Sequence, residues 1–120
     1  MGDITKVDVW KSAMCVAELV FLLSEKGKLS KEYYLRDQIR RAALSIPSNI
    51  AEGLESGFDR AGIRYFYIAK GSIAELKTQL LLASRIKYIR KEDYEEIFTK
   101  LDIIGKMLYK LIQYRKSQYI

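Results

Sequence analysis

Apolar residues recur at three- and four-residue steps along nearly the whole chain, and no stretch sustains the strict alternation of a half-buried strand. No hairpin dipeptide such as Asn-Gly interrupts this pattern. The reading is therefore all-α. A first helix is predicted from residue 3 or 5 to residue 26, with Trp10, Ala13, Ala17 and Val20 on its inner side and Gly27 as its stop. Ser30 is placed to cap a second helix over residues 31–55, whose apolar face holds Leu35, Ile39, Ala42, Ala43, Ile46, Ile50 and Gly53. The string ESGFD then turns the chain, with Gly57 free to take a positive φ and Asp59 able to accept from the first amides of a third helix. That helix runs to about residue 87 and would bury Tyr65, Ile68, Ala69, Ser72, Leu76, Leu80 and Ala83, flanked by Phe66 and Ile73. In the fourth, residues 91–115, Ile97, Leu101, Ile104, Leu108 and Leu111 follow a 4-3-4-3 spacing suited to close packing. Long helices joined by short turns pack as antiparallel neighbours, so the expected architecture is an up-down-up-down four-helix bundle in one domain, residues 1–120.

The second helix carries the only proline of the chain, Pro47, inside RRAALSIPSNIAEG. A proline there removes the hydrogen bond to the Ala43 carbonyl and crowds it, at a cost of roughly 3 kcal/mol in a regular helix interior. A kink near residues 43–47 is expected, with Pro47 off the centre of the apolar stripe. Beside that stripe Gln38, Arg41, Ser45, Asn49, Glu52 and Ser56 share one flank, and the third helix offers Ser72, Glu75 and Gln79 at matching spacing near Ala69 and Gly71. These form a candidate polar seam between the two helices, which specifies one register if its members are satisfied. The alternative is that Asn49 and Glu52 face water.

Composition narrows the chemistry. The 120 residues are 49% hydrophobic and 30% charged, as in a folded chain with one core. The absence of histidine removes the usual general base, the commonest metal ligand and every histidine-dependent triad. Neither a cofactor nor a metal is expected. Glu52 and Glu75 remain as an acid and base pair for a hydrolase, but no nucleophile or phosphate-binding loop accompanies them. Cys15 is the only cysteine; its apolar neighbours point to a buried small hydrophobe rather than a reactive thiol. The longest apolar run, AMCVAELVFLL, is about half a membrane span and contains Glu18, so no membrane segment or secretory signal is expected and the cytoplasm is the default compartment.

The net charge of +6 favours polyanions, although excess lysine also serves solubility. In the fourth helix the acidic Glu92, Asp93, Glu95 and Glu96 precede the basic Lys106, Lys110, Arg115 and Lys116, a polarity that also complements the helix dipole. Those four basic residues, with Tyr109 and Tyr114 between them and Arg40 and Arg64 elsewhere, are the candidate phosphate contacts.

LRDQIRRAALSIPSNIAEG followed by YFYIAKGSIAELKTQLLLA resembles the family of 23S rRNA intervening sequence proteins, also called the S23 ribosomal protein family. The likeness extends from VDVWKSAMCVAEL through the fourth helix, and the family's motif positions fall on Gln38, Arg40, Arg41, Ser45, Asn49, Glu52, Gly53, Ala69, Gly71, Ser72, Glu75 and Leu76. It implies a bacterial four-helix bundle, often a ring-like homopentamer, encoded within intervening sequences of 23S rRNA genes. A similar bundle is the accessory protein of diversity-generating retroelements, in which a basic pentamer associates with nucleic acid and a reverse transcriptase. The resemblance implies no enzyme. The start of the fourth helix, YIRKEDYEEI, departs from the pattern by placing Arg90 and Lys91 where a capping residue is usual. The expected function is thus a nonenzymatic oligomer that binds RNA or DNA through a basic surface, the alternative being a scaffold for a partner protein.

Overall fold

Pro47 does not break its helix. The structure, a computed structural model, describes residues 3–56 and 60–118. In it the helix α2, Tyr33–Glu55, is continuous across the proline. Pro47 is buried rather than set to one side, so its ring adds apolar contact where the backbone loses a hydrogen bond. The other long helices are α1, Asp8–Leu23; α3, Arg60–Arg85; and α4, Lys91–Ser117. No strand occurs among the described residues.

Each helix contacts the next in sequence, and α1 also contacts α4, so the four close a ring of neighbours about one core. This is the expected all-α four-helix bundle, a rod of 50 × 22 × 20 Å. Ile39, Ile46 and Ile50 from α2, Phe66, Leu76 and Leu80 from α3, and Leu101, Ile104 and Leu108 from α4 have at most 1% of their surface exposed. Burial on this scale, at about 25 cal/mol per Å² of apolar surface, is the chief force favouring the fold.

The inner faces differ from the sequence pattern at the stripe edges. Phe66 and Ile73 belong to the core, whereas Ile68 is exposed, because the inner side of α3 turns toward α4 as well as α2. At the end of α4, Ile112 is buried and Leu111 only half-buried, so the seam leaves the strict heptad steps as an undistorted helix drifts past them. Cys15 is exposed, contrary to its apolar neighbours. Val16 and Ala17 occupy the inner side at that level.

Helix ends also depart from expectation. A short 3₁₀ turn, Ile4–Lys6, precedes α1, and Asp3 caps that turn by accepting from the Thr5 amide at 2.9 Å. Ser30 caps nothing: it lies in a second 3₁₀ turn, Leu29–Lys31, and its hydroxyl donates to the Gly27 carbonyl at 2.6 Å. Gly27 lies beyond the end of α1 at φ +55°, a conformation that strains other residues. Past α3, Lys87 takes the same left-handed region at φ 68°. There the Tyr88 amide donates to Ala83 at 2.8 Å and the Lys87 amide to Ser84 at 3.1 Å, the paired bonds of a Schellman stop. The turn expected around Gly57 and Asp59 lies outside the described residues.

The polar seam between α2 and α3 is shorter than its spacing implied. Ser45 and Ser72 hydroxyls meet at 2.8 Å, and Asn49 donates to the Ser45 carbonyl at 2.8 Å and to its hydroxyl at 2.9 Å. Ser72 also donates to the Ile68 carbonyl at 3.2 Å. Gln38, two turns before Ser45, is half-buried and adds no hydrogen bond to this trio, while Arg41, Glu52 and Glu75 are exposed. The carboxylates therefore belong to the outer surface, where water solvates them without the cost of burying charge.

One turn beyond Asn49 the backbone of α2 comes close to that of α3. A side-chain carbon added at Gly53 would stand 2.9 Å from the Gly62 carbonyl oxygen and would collide with the Phe66 ring, so this level of the bundle tolerates only glycine.

Candidate nucleic-acid interface

Between α3 and α4 runs a groove of about 570 Å³. Ile73, Ala74 and Gly105 form its floor, while Lys70 and Lys77 from α3 and Lys106 and Lys110 from α4 line its sides with Tyr109. The one carboxylate in the lining, Asp102, is 2.6 Å from the Lys77 ammonium. That hydrogen bond, and then the charge itself, holds the Asp102 carboxyl below its usual range, so it stays ionised and offsets Lys77. Lys106 is also close enough for its charge to favour ionised Asp102, so one carboxylate stands against the four lysines of the trough and the balance there is positive.

Aromatic rings alternate with these cations across the helix pair. The Lys70 ammonium stands 5.6 Å from the centre of the Tyr109 ring, and Lys116 stands 5.3 Å from that of Tyr67. Lys77 stands 4.5 Å from the Phe98 ring centre. Each pair joins α3 to α4, with the lysine on α3 in two cases and on α4 in the third. Tyr67 and Tyr109 keep 46% and 56% of their surface exposed.

The residues singled out from sequence divide among different duties. Lys106 and Lys110 line the groove, and Lys116 extends it past Tyr67. Arg64 is exposed but is not part of the groove lining. Tyr114 follows Tyr109 by five positions, about 140° further round the helix, and so faces another way. Arg115 must be removed from the surface set: it is 3% exposed, its guanidinium is 5.3 Å from the Phe66 ring centre, and it donates to the Gly53 carbonyl. Arg40 is half-buried, donating to the Ser24 hydroxyl at 2.6 Å with its guanidinium 5.2 Å from the Phe21 ring centre. Both arginines tie helices together.

A larger cleft, about 950 Å³, opens at the end of the bundle where α1 and α3 finish and α4 begins. It too is basic, with Lys26, Lys28, Arg85 and Lys87 in its lining. Arg85 closes α3 and the three lysines follow the ends of α1 and α3, where positive charge complements the helix dipoles. Arg90 at its rim is engaged by Asp93 at 3.0 Å. Lys91, at the start of α4, also lines this cleft, where Glu92 and Asp93 stand beside it, whereas the lateral groove sets four lysines against one carboxylate. No group of residues able to hold a metal occurs among the described residues, and no helix there is long and apolar enough to cross a membrane.

Residues 5–110 match the model of the 23S rRNA-intervening sequence protein family. The chain belongs to that family. A solved structure from Bacteroides thetaiotaomicron VPI-5482, described as a protein with unknown function from the S23 ribosomal protein family, is 30% identical and superposes with a TM-score of 0.76. The alignment covers 87% of this chain and 97% of that one. No curated protein matches.

In this member of the 23S rRNA-intervening sequence protein family, the motif strings of α2 and α3 supply the seam of Ser45, Asn49 and Ser72, whereas the lysine groove lies on the other side of α3. Nothing local in the sequence distinguishes Lys70 and Lys77 from solvated surface lysines, so neither stands out there as a site residue. Their spacing of seven, which returns both to one side of α3, is the signal that could have found them.

Proposed function

We propose that this protein is a nonenzymatic, self-associating four-helix bundle that binds nucleic acid, RNA or DNA, through the basic α3–α4 face. The observation that carries the reading is the convergence of Lys70, Lys77, Lys106 and Lys110 on one groove whose single carboxylate is already engaged by Lys77. A phosphate backbone laid along this trough meets a row of ammonium groups and releases its condensed counterions, the release that supplies most of nonspecific nucleic-acid affinity. Assembly into the homopentamer implied by the family resemblance would repeat the groove around a ring, so that modest attraction per subunit combines through multivalency. Exposed apolar side chains support self-association: Tyr34, Leu82 and Ile86 lie toward the same end of α2 and α3 and are 79%, 50% and 42% exposed.

Salt-titrated binding to a generic RNA and a generic duplex tests the reading. Affinity should fall steeply with salt, with a logarithmic slope near −3 for about four neutralised phosphates. Lys106→Ala with Lys110→Ala should flatten that slope. Negligible binding at every salt concentration would favour the alternative, a scaffold for a partner protein. Light scattering on the purified protein gives the subunit number.

A further inference from the structure

We infer that the α3–α4 groove takes a single strand with unpaired bases rather than a duplex; this inference rests on the nucleic-acid reading and names its substrate class. The ground is the pairing of two of the groove's ammonium groups with exposed tyrosine rings. Lys70 covers Tyr109 and Lys116 covers Tyr67, at 5.6 and 5.3 Å, across the helix pair. In the free protein each lysine shields the ring, and the ring partners the lysine.

One nucleotide of a single strand satisfies both members at once. Its phosphate draws the ammonium away, and its base takes the uncovered ring face. A duplex offers phosphates but keeps its bases stacked within, so it would engage the lysines and leave the rings bare. The exposure of Tyr67 and Tyr109, 46% and 56%, leaves room for that exchange without repacking the core.

The trough between the rungs supports the same occupant. Gly105 sits within α4, where glycine is a poor helix former, yet a side-chain carbon placed there would meet nothing within 4 Å. Packing within the bundle therefore does not require glycine at this position, unlike at Gly53. Its effect is to keep the floor open one turn before Tyr109, where a base lying on that ring needs space. From Tyr67 to Lys77 the rungs span about 15 Å of α3, enough for a few nucleotides.

Fluorescence anisotropy with a labelled single strand of about 12 nucleotides and the duplex of the same length, at one salt concentration, tests the inference. The single strand should bind more tightly. Tyr109→Ala should cost it about tenfold in affinity and leave the duplex unchanged, while Tyr109→Phe retains wild-type binding. Lys106→Ala should weaken both probes. Tyr67→Ala supplies an independent variant on the other rung, and Gly105→Leu should weaken the single strand although the melting temperature stays at or above that of the parent. Equal or tighter binding of the duplex overturns the inference, as does a Tyr109→Ala loss shared equally by both probes or absent from both. Failure of both probes to bind, even as the salt is lowered, overturns the nucleic-acid reading itself.

Discussion

Arg115 donates from its guanidinium to the carbonyl oxygen of Gly53, 62 positions earlier in the chain, at 3.4 Å. The bond joins the last turns of α4 to the last turns of α2, and the guanidinium also lies against Phe66 of α3, 5.3 Å from its ring centre. Three helices thus converge on one buried cation, placed where carbonyls near the end of α2 favour positive charge. Arg115→Ala removes a charged hydrogen bond and opens a void, which should cost about 2 to 3 kcal/mol. In a domain of this size that lowers the melting temperature by about 4 °C per kcal/mol. Arg115→Lys should recover only part, since an ammonium cannot lie flat against the ring while reaching the carbonyl. Lys116→Ala, one residue on and exposed, should change stability by less than about 0.5 kcal/mol. Thermal melts of the three variants check the ordering.

The contrast between Arg115 and Lys116 also marks how far the sequence could be read. Apolar recurrence identified four helices and most of the core, because one inner stripe per helix is the strongest signal a bundle writes into its sequence. It could not say which flank of each stripe meets which neighbour. That information decides whether Arg115 is a surface cation or a buried strut, and whether Phe66 and Ile73 flank the core or belong to it. Helix ends were poorly legible for a related reason: Ser30 has the residue type of a cap, but the 3₁₀ turn around it directs its hydroxyl back to Gly27. The groove required both kinds of missing information, since Lys70 meets Tyr109 only once α3 and α4 are set side by side in antiparallel register.

The hydroxyls of Ser45 and Ser72 should be energetically coupled. Each has another partner, Asn49 for the first and the Ile68 carbonyl for the second, so removing one leaves the other bonded. A double-mutant cycle with Ser45→Ala and Ser72→Ala should return a coupling of about 0.5 to 1.5 kcal/mol. Asn49→Leu should be more damaging than Lys110→Ala, which alters an exposed side chain. Urea denaturation of the four single variants and the Ser45→Ala/Ser72→Ala double variant measures these differences, and equal midpoints for Asn49→Leu and Lys110→Ala would dismiss a structural seam.

Lys87 holds a left-handed backbone at φ 68° that glycine adopts freely. The surrounding Schellman bonds from Tyr88 to Ala83 and from Lys87 to Ser84 keep it there. The Lys87 side chain is exposed, so little packing is lost with it. Lys87→Gly should therefore raise stability by about 1 kcal/mol, with the melting temperature moving up by about 4 °C. Lys87→Val should move it down, because a branched side chain crowds the same conformation. Differential scanning calorimetry on the two variants and the parent reads both shifts.

Acid should weaken the start of α4 through Asp93. Its carboxyl is held below the ordinary value of 3.8 by the hydrogen bond from Arg90 above all; burial opposes that effect, and the charges of Arg90 and of Lys26 beyond α1 add to it. The folded protein thus binds this proton more weakly than the unfolded chain. The stabilisation is complete well above pH 3.8 and is lost as pH falls through the lower folded value. Asp93→Asn should be less stable than the parent at neutral pH, and the gap should narrow on acidification below pH 3.8. Asp3 and Asp102, lowered in the same direction by Thr5 and Lys77, preserve part of the acid slope in the variant. Urea midpoints followed from neutral pH down through that range test the assignment. A stability gap that stays constant with pH would show that Asp93 contributes by shape, without its charge.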